Sequence, residues 1–141
     1  MKRILSCFAI ASMLVILISS CGSTCKMANK NLLKSNTWEL KTINGSAFET
    51  KEFLTGTPYL LFQKSGKLLG STGCNNMMGT YKLKKACLQL DPGAITRMAC
   101  QGNGEAIFLD AMKKVQSMKI DAEKLTLSGD NKEIMTFVPK K

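Results

Sequence analysis

The stretch Gly73-Cys74-Asn75-Asn76-Met77-Met78-Gly79, followed directly by Thr80-Tyr81-Lys82-Leu83, decides the fold of this chain. Glycine adopts positive φ angles without penalty, and asparagine does so more easily than most residues, so the first part can reverse the chain sharply. Asparagine side chains also hydrogen-bond their own backbone in such turns. The second part alternates polar and apolar residues, which is typical of a strand with one buried face. We therefore predict a sharp turn over residues 73–79 that leads into a strand over 80–83.

Short alternating segments continue on both sides of this turn. They predict further strands near residues 37–43, 59–62, 68–71, 87–90, 118–122, 125–127 and 134–138. Turn-forming residues such as Asn44-Gly45 separate them, and residues 46–58 are predicted as a loop. Trp38, in the first strand, is assigned to the core and not to a sugar-binding platform.

One segment has the periodicity of an amphipathic helix, predicted over residues 104–116. Phe108, Ala111, Met112 and Val115 follow the i, i+3, i+4, i+7 spacing of a buried stripe. Asn103 precedes the helix and is predicted to cap it through its side-chain oxygen. Seven or eight short strands with one helix predict a single small α+β domain built on an antiparallel sheet.

The first 21 residues have the layout of a secretion signal. Lys2 and Arg3 precede an apolar run over residues 4–18, about 15 residues where a membrane-spanning helix needs about 20. The run ends in Ile18-Ser19-Ser20-Cys21, which resembles the lipobox of bacterial lipoproteins. This resemblance implies a signal peptide over 1–20, cleavage before Cys21 and a lipid on its sulfur. The alternatives are an ordinary cleaved signal and a retained membrane helix.

Polar composition after Cys21 predicts a lipid anchor and flexible tether over 21–35 and a folded domain over 36–141. Gly22, and not aspartate, follows the cysteine, which favours the outer membrane, with the domain facing the periplasm. Without Lys2 and Arg3 the chain keeps 18 of its 20 basic residues against 10 acidic ones, a net charge of +8. Such a chain suits the membrane, an anionic envelope polymer or another envelope protein as partner, and nucleic acid is not expected there.

The chain has six cysteines and no histidine. Four cysteines, Cys25, Cys74, Cys87 and Cys100, remain after cleavage and lipidation, and an oxidising compartment favours disulfides among them. The sequence leaves all three full pairings open. The lack of histidine removes the commonest general base and metal ligand, so we predict neither catalysis nor a cofactor. Met77, Met78 and Met98 offer soft sulfur ligands of the kind that copper(I) prefers. The chain has no Met-x-x-Met repeat, however, and no metal is predicted.

Several separated motifs together resemble the META/HslJ-like domain over about residues 36–138. They are Trp38-x-Leu40, Gly73-Cys74-Asn75 with Gly79-x-Tyr81, Thr96-Arg97-Met98-Ala99-Cys100, Glu105-x-x-Phe108-Leu109 and Leu125-x-Leu127. The resemblance implies a curved antiparallel sheet that cups one helix. Proteins with this domain are often small bacterial envelope lipoproteins, some linked to heat shock or antibiotic tolerance, with no agreed enzymatic activity.

The family motifs also suggest site residues. Cys74 and Cys100 flank the two central motifs and are expected to form a disulfide, while Asn75, Asn76 and Arg97 form a candidate binding loop. Arg97 is expected to contact that loop, to pair with Glu105 or to bind a ligand. The predicted function is a non-catalytic, lipid-anchored envelope protein that binds or stabilises another envelope component under stress. The alternative is an inhibitor or binding module that acts on a hydrolase.

Overall fold

The computed structural model describes residues 29–47, 52–53 and 55–141, which form a small, mostly antiparallel α+β domain. In chain order its elements are α1 (Lys30–Ser35), β1 (Thr37–Ile43), β2 (Ser46–Ala47), β3 (Tyr59–Phe62), a 3-10 turn (Lys64–Gly66), β4 (Lys67–Ser71), β5 (Asn76–Lys84), β6 (Cys87–Ile95), α2 (Gly104–Lys113), β7 (Ser117–Ile120), β8 (Leu125–Gly129) and β9 (Lys132–Pro139).

The sheet closes on itself. Each strand from β3 to β9 pairs with the next along the chain, and β1 pairs with both β3 and β9. Eight strands therefore form a ring, which protects backbone groups that an open sheet would leave unpaired at its edges. The junction of β6 and β7 consists of one residue pair, Cys87 and Ser117. Helix α2 lies in the connection between these two strands and packs against β6.

The predicted strand count was too low, since the described residues form nine strands. The missing strand is β2, whose two residues are exposed and carry no apolar periodicity. It forms because Asn44 and Gly45 both adopt positive φ, 50° and 77°, and reverse the chain against the end of β1. The sequence predicted this turn but not the short strand that returns from it.

The stretch around Gly79 is also different from the prediction. Gly73 has a φ of +88° and lies in a turn, but β5 already begins at Asn76. A Cβ on Gly79 would overlap the carbonyl oxygen of Asp91 and contact Pro92. Gly79 is therefore needed for the close approach of β5 and β6 at a β-bulge, where the register shifts, and not for a turn.

The predicted tether ends too late, because residues 30–35 form helix α1. Asn29 caps it, with its side-chain oxygen accepting hydrogen bonds from the backbone N–H groups of Asn31 and Leu32, both at 3.2 Å. Leu33 is fully buried, and its carbonyl oxygen accepts a 2.9 Å hydrogen bond from the indole nitrogen of Trp38. A single apolar anchor has no periodicity, which is why the sequence did not reveal this helix.

Helix α2 begins where predicted but ends at Lys113, three residues early. Its predicted apolar stripe is buried, including Val115, which follows the helix. The predicted cap is wrong in its chemistry: the side chain of Asn103 makes no capping hydrogen bond. Its carbonyl oxygen instead accepts a bond from the Ile107 amide at 3.0 Å.

Aromatic side chains fill the space between the ring of strands and α2. Trp38, Phe62, Phe108 and Phe137 are almost completely buried, which confirms Trp38 as a core residue. The ring of Phe108 on α2 meets the edge of Phe137 on β9 at a centroid distance of 6.5 Å. The helix is thereby packed against β9, two strands beyond β7 in the ring.

We predict that Gly79→Ala lowers the free energy of unfolding by about 2–3 kcal/mol, because β5 and β6 must separate to admit the methyl group. Gly45→Ala is the matched control, since nothing lies within 4 Å of its added Cβ. Only the strain of a positive φ remains there, about 1 kcal/mol. Equilibrium denaturant unfolding measures both variants, and equal losses would contradict the close-approach role of Gly79.

Candidate functional site

The loop between β4 and β5 holds the central motif in one conformation. The hydroxyl of Thr72 accepts a 2.9 Å hydrogen bond from the Asn75 amide, and the Thr72 amide donates to the Asn75 carbonyl oxygen at 2.8 Å. A Cβ on Gly73 would lie 2.6 Å from the ring of Phe53. The loop therefore requires glycine at 73, and it turns the side chain of Asn75 into the protein.

The side chain of Asn75 joins two distant segments to this loop. Its oxygen accepts hydrogen bonds from the Met98 amide at 2.7 Å and from the Thr96 hydroxyl at 2.9 Å. Its nitrogen donates to a carboxylate oxygen of Glu105 at 3.0 Å and to the Met98 carbonyl oxygen at 3.3 Å. Asn75 is only 2% exposed. It clamps the backbone of Met98 on both sides and ties it to helix α2.

Glu105 lies in the first turn of α2 and is stabilised without a basic partner. Its carboxylate accepts hydrogen bonds from the Thr72 hydroxyl and from the Asn75 amide. The helix N-terminus also favours a negative charge at this position. The expected ion pair with Arg97 is wrong, because Asn75 and Thr72 occupy the carboxylate and the Arg97 side chain is exposed. Among the described residues, Arg97 makes no ion pair and no side-chain hydrogen bond.

A disulfide joins Cys74 to Cys100, the pairing expected from the family resemblance. The two Cα atoms are 6.1 Å apart, and the cysteines are 26 residues apart in the chain. The disulfide fixes the segment of residues 96–100 at Cys100, and Asn75 holds the same segment at Met98. We call the side chains of Thr72, Asn75, Thr96 and Glu105, together with this disulfide, the clamp. Cys87 is also disulfide-bonded.

The buried polar atoms of the clamp are hydrogen-bonded to one another and to nearby backbone groups. No buried side-chain nitrogen or oxygen atom in the described residues lacks a hydrogen-bond partner. Both polar atoms of the Asn75 side chain are already hydrogen-bonded within the domain, and its predicted part in a binding loop stays a prediction. Asn76 lies exposed at the start of β5 and Arg97 lies exposed beside the clamp, so their binding role stays a prediction. Cys21 lies outside the described residues.

A shallow cavity of about 430 Å³ opens beside the clamp. Its walls include Glu52, Phe53, Thr55, Met98, Cys100 and Leu109. The sequence did not single out Glu52 or Phe53, because they lie in a segment without periodicity. Thr72 was also missed, although a threonine three residues before Asn75 is a usual signal for a side chain that bonds the turn.

Two groups with shifted pKa values lie away from the clamp. Burial raises the pKa of Tyr81, whose hydroxyl donates to the Gln63 carbonyl oxygen at 2.9 Å. A hydrogen bond from Lys114 lowers the pKa of Asp110 on the exposed face of α2. Neither residue lines the cavity. Shifted pKa values often mark catalytic groups, but these two have structural causes.

The described residues offer neither a metal-binding cluster nor a membrane-spanning helix. They contain no group of three or more cysteine, aspartate or glutamate side chains arranged to hold a metal ion. Within 29–47, 52–53 and 55–141, no helix has the length and hydropathy to cross a membrane.

Comparison with known proteins identifies relatives of the whole domain. The family model described as META domain matches residues 16–141. A protein solved by NMR is 22% identical with a TM-score of 0.60, covering 79% of this chain and 96% of its own. A crystal structure of a DUF4847 family protein from Bacteroides vulgatus gives 16% identity, the same TM-score and the same coverage.

A further NMR structure, of a protein from Burkholderia xenovorans, is 27% identical with a TM-score of 0.59. The match covers 79% of this chain and 86% of that protein. A search of the curated proteins gives no significant match. These similarities establish a shared fold.

We predict that Asn75→Ala lowers the free energy of unfolding by about 3 kcal/mol or more, because each buried polar group left unpaired costs about 1–3 kcal/mol. Asn76→Ala is the matched control, since its side chain is exposed; a change within about 0.5 kcal/mol is expected there. Denaturant unfolding of the two neighbouring variants measures the difference. Similar losses in both would show that the Asn75 network does not hold the domain together.

The double variant Cys74→Ala/Cys100→Ala tests the covalent part of the clamp. For a loop of this length the chain-entropy model predicts a loss of about 3.5 kcal/mol. Denaturant unfolding under non-reducing conditions measures it against the parent protein. An unchanged midpoint would contradict a stabilising role for this disulfide.

Proposed function

The chain belongs to the META domain family, and from this we propose that it is a non-catalytic, lipid-anchored protein of the bacterial cell envelope. It binds or stabilises another envelope component, in a setting of stress or antibiotic tolerance. Lipid on Cys21 holds it in a membrane, with the outer membrane and a periplasm-facing domain favoured. The observation that carries the proposal is the clamp, a disulfide-linked cluster in which every buried side-chain nitrogen and oxygen atom is hydrogen-bonded.

The disulfide supports an exported location. Disulfides persist in oxidising compartments and are rare in the bacterial cytoplasm. The bond between Cys74 and Cys100 therefore agrees with the secretion signal and the lipobox-like Ile18-Ser19-Ser20-Cys21. A protein exported in this way and acylated at Cys21 stays with the membrane, since two or more acyl chains give stable attachment.

The chemistry of the clamp supports binding and not catalysis. A general acid or base must have a polar atom free to reach a substrate. The carboxylate of Glu105 is engaged by Thr72 and Asn75. The chain has no histidine to take its place. Beside the buried part of the clamp, residues 96–99 are exposed to solvent, and Arg97 and Met98 carry the largest side chains among them.

That exposed segment favours one alternative function, an inhibitor of a hydrolase. Asn75 bonds both the amide and the carbonyl oxygen of Met98, and the disulfide fixes Cys100 two residues later. A segment held rigidly before binding loses little entropy on entering an enzyme cleft. Arg97 and Met98 are the side chains that such a cleft would accept.

Lipid attachment is tested by labelling cells that express the full chain with radioactive palmitate. We expect Cys21→Ala to lose the label and to leave the membrane fraction. Cys25→Ala, four residues later, is the matched control and is expected to keep the label. Persistent labelling of Cys21→Ala would refute the anchor.

The two functions are separated by crosslinking in intact cells, followed by mass spectrometry of the captured species. A structural envelope component as the main product supports the proposed function. Capture of a hydrolase whose activity falls in the complex, with inhibition lost in Arg97→Ala, supports the inhibitor instead.

A further inference from the structure

A row of apolar side chains crosses four strands on the outer face of the sheet. Leu61 on β3 is paired with Leu69 on β4, Leu69 with Met78 on β5, and Met78 with Ala94 on β6. Directly paired residues in adjacent strands have their Cβ atoms about 5 Å apart on the same face. We call Leu61, Leu69, Met78 and Ala94 the apolar row.

The apolar row faces away from the core. Its neighbours Leu60, Leu68 and Met77 are buried, and successive side chains of a strand point to opposite faces. Met78 is 60% exposed and Ala94 is exposed, while Leu61 and Leu69 are partly exposed. Beside the row lies a shallow cavity of about 510 Å³ between Tyr59, Leu69, Met78 and Ile95.

The apolar row differs from ordinary protein surface because its side chains adjoin one another. Single exposed apolar residues are common on soluble proteins, whereas a continuous apolar patch usually marks an interaction site. The β-bulge at residues 92–93 contributes to the continuity, because the register shift that it introduces places Ala94 opposite Met78. The close approach at Gly79 described above is therefore part of what aligns the row.

The four strands that carry the apolar row are strongly basic. Residues 59–95 contain five lysines and one acidic residue, Asp91, a net charge of +4. Lys67 lies on the same face as Leu69, and Lys82 on the same face as Met78. Lys67 is paired with Thr80, so Lys82 is its diagonal neighbour. Asp91, also paired with Thr80, offsets part of this charge.

The far end of the row has a weaker charge. The ammonium of Lys140 lies 5.3 Å from the centre of the Tyr59 ring and 3.7 Å from a carboxylate oxygen of Glu39. The positive charge of Lys140 and the negative charge of Glu39 therefore largely offset each other. The positive field of this face comes from the lysines of β4 and β5.

These charges decide among the possible occupants. Two copies of the chain stacked through this face would bring Lys67 and Lys82 of one copy close to those of the other, which self-repulsion opposes. Anionic phospholipid headgroups attract lysines, while methionine and leucine side chains between them can enter the acyl boundary.

The chain enters the domain beside one of the strands of this face. Helix α1 packs against β3, the strand that carries Leu61. The chain from Cys21 to Asn29, eight residues further on, spans at most about 28 Å when fully extended. With so short a tether at Cys21, the effective concentration of the membrane surface at the domain is high.

We propose that the apolar row and the lysines Lys67 and Lys82 form a membrane-docking surface, on which the domain lies against anionic phospholipid. Met78 enters the headgroup layer, and the two lysines bind phosphate groups beside it. This inference rests on the proposed lipid anchor for its location, but the surface itself is defined by the described strands.

The test places a photo-crosslinking benzoylphenylalanine at position 78 or at position 98 of the full chain. Met98 is the matched control, because it is 58% exposed but lies beside the clamp. Cells are labelled with radioactive phosphate and irradiated. We expect a radioactive phospholipid adduct at position 78, with a yield several-fold higher than at position 98.

A second arm tests the charges with the purified lipidated protein in phosphatidylcholine vesicles with or without phosphatidylglycerol. Phosphatidylglycerol is expected to raise the lipid adduct at position 78. Lys67→Gln and Lys82→Gln are each expected to lower it about fivefold. Lys132→Gln, at the start of β9, is the control and should leave the yield unchanged.

Each outcome has one meaning. A protein adduct at position 78, no adduct, or equal lipid adducts at positions 78 and 98 would overturn the docking surface. Failure of the anchor is distinguishable, since palmitate labelling at Cys21 reports on it separately. A lipid adduct at position 78 in a chain without palmitate would refute the anchor and leave the docking surface standing.

Discussion

The buried amide of Asn75 is the interaction on which the arrangement of this domain depends. From the β4–β5 loop it is hydrogen-bonded to the extended segment at Thr96 and Met98 and to Glu105 in the first turn of α2. An amide can do this because it has two donors and two acceptor positions in one plane. A carboxylate in its place would repel Glu105, and an aliphatic side chain would leave buried groups unpaired. The disulfide beside it makes the same connection in covalent form.

This role changes how the family motifs are understood. Cys74, Asn75 and Glu105 belong to the motifs on which the family resemblance rests, and in the structure the side chain of Asn75 is hydrogen-bonded to both Cys74 and Glu105. They build the domain and offer little to a partner. Function must then be carried by exposed surface outside the clamp's interior, such as the outer face of β3–β6 or the segment at Arg97 and Met98.

The sequence was informative wherever a period or a turn had a single physical cause. The buried stripe of α2 and the Asn44-Gly45 turn were predicted because each depends on local geometry. The strand β2 and helix α1 were missed because neither has an apolar period: both residues of β2 are exposed, and α1 buries a single residue, Leu33. For the site, the family resemblance implied the disulfide, but nothing local showed that Asn75 turns inward or that Glu105 prefers an amide to Arg97. Those contacts follow from the tertiary fold.

The ring of strands is joined at one place by a single residue pair, between β6 and β7. Topologically the sheet is thus a wrapped strip, and its two ends are connected by the segment that contains α2. Local opening at this seam would release the helix from an uncrosslinked chain. Here the bond between Cys74 and Cys100 attaches the start of that segment to the β4–β5 loop. The helix therefore stays close to the strands against which it packs. Opening at the seam is therefore easily reversed, because the disulfide keeps the opened segment close to the rest of the domain.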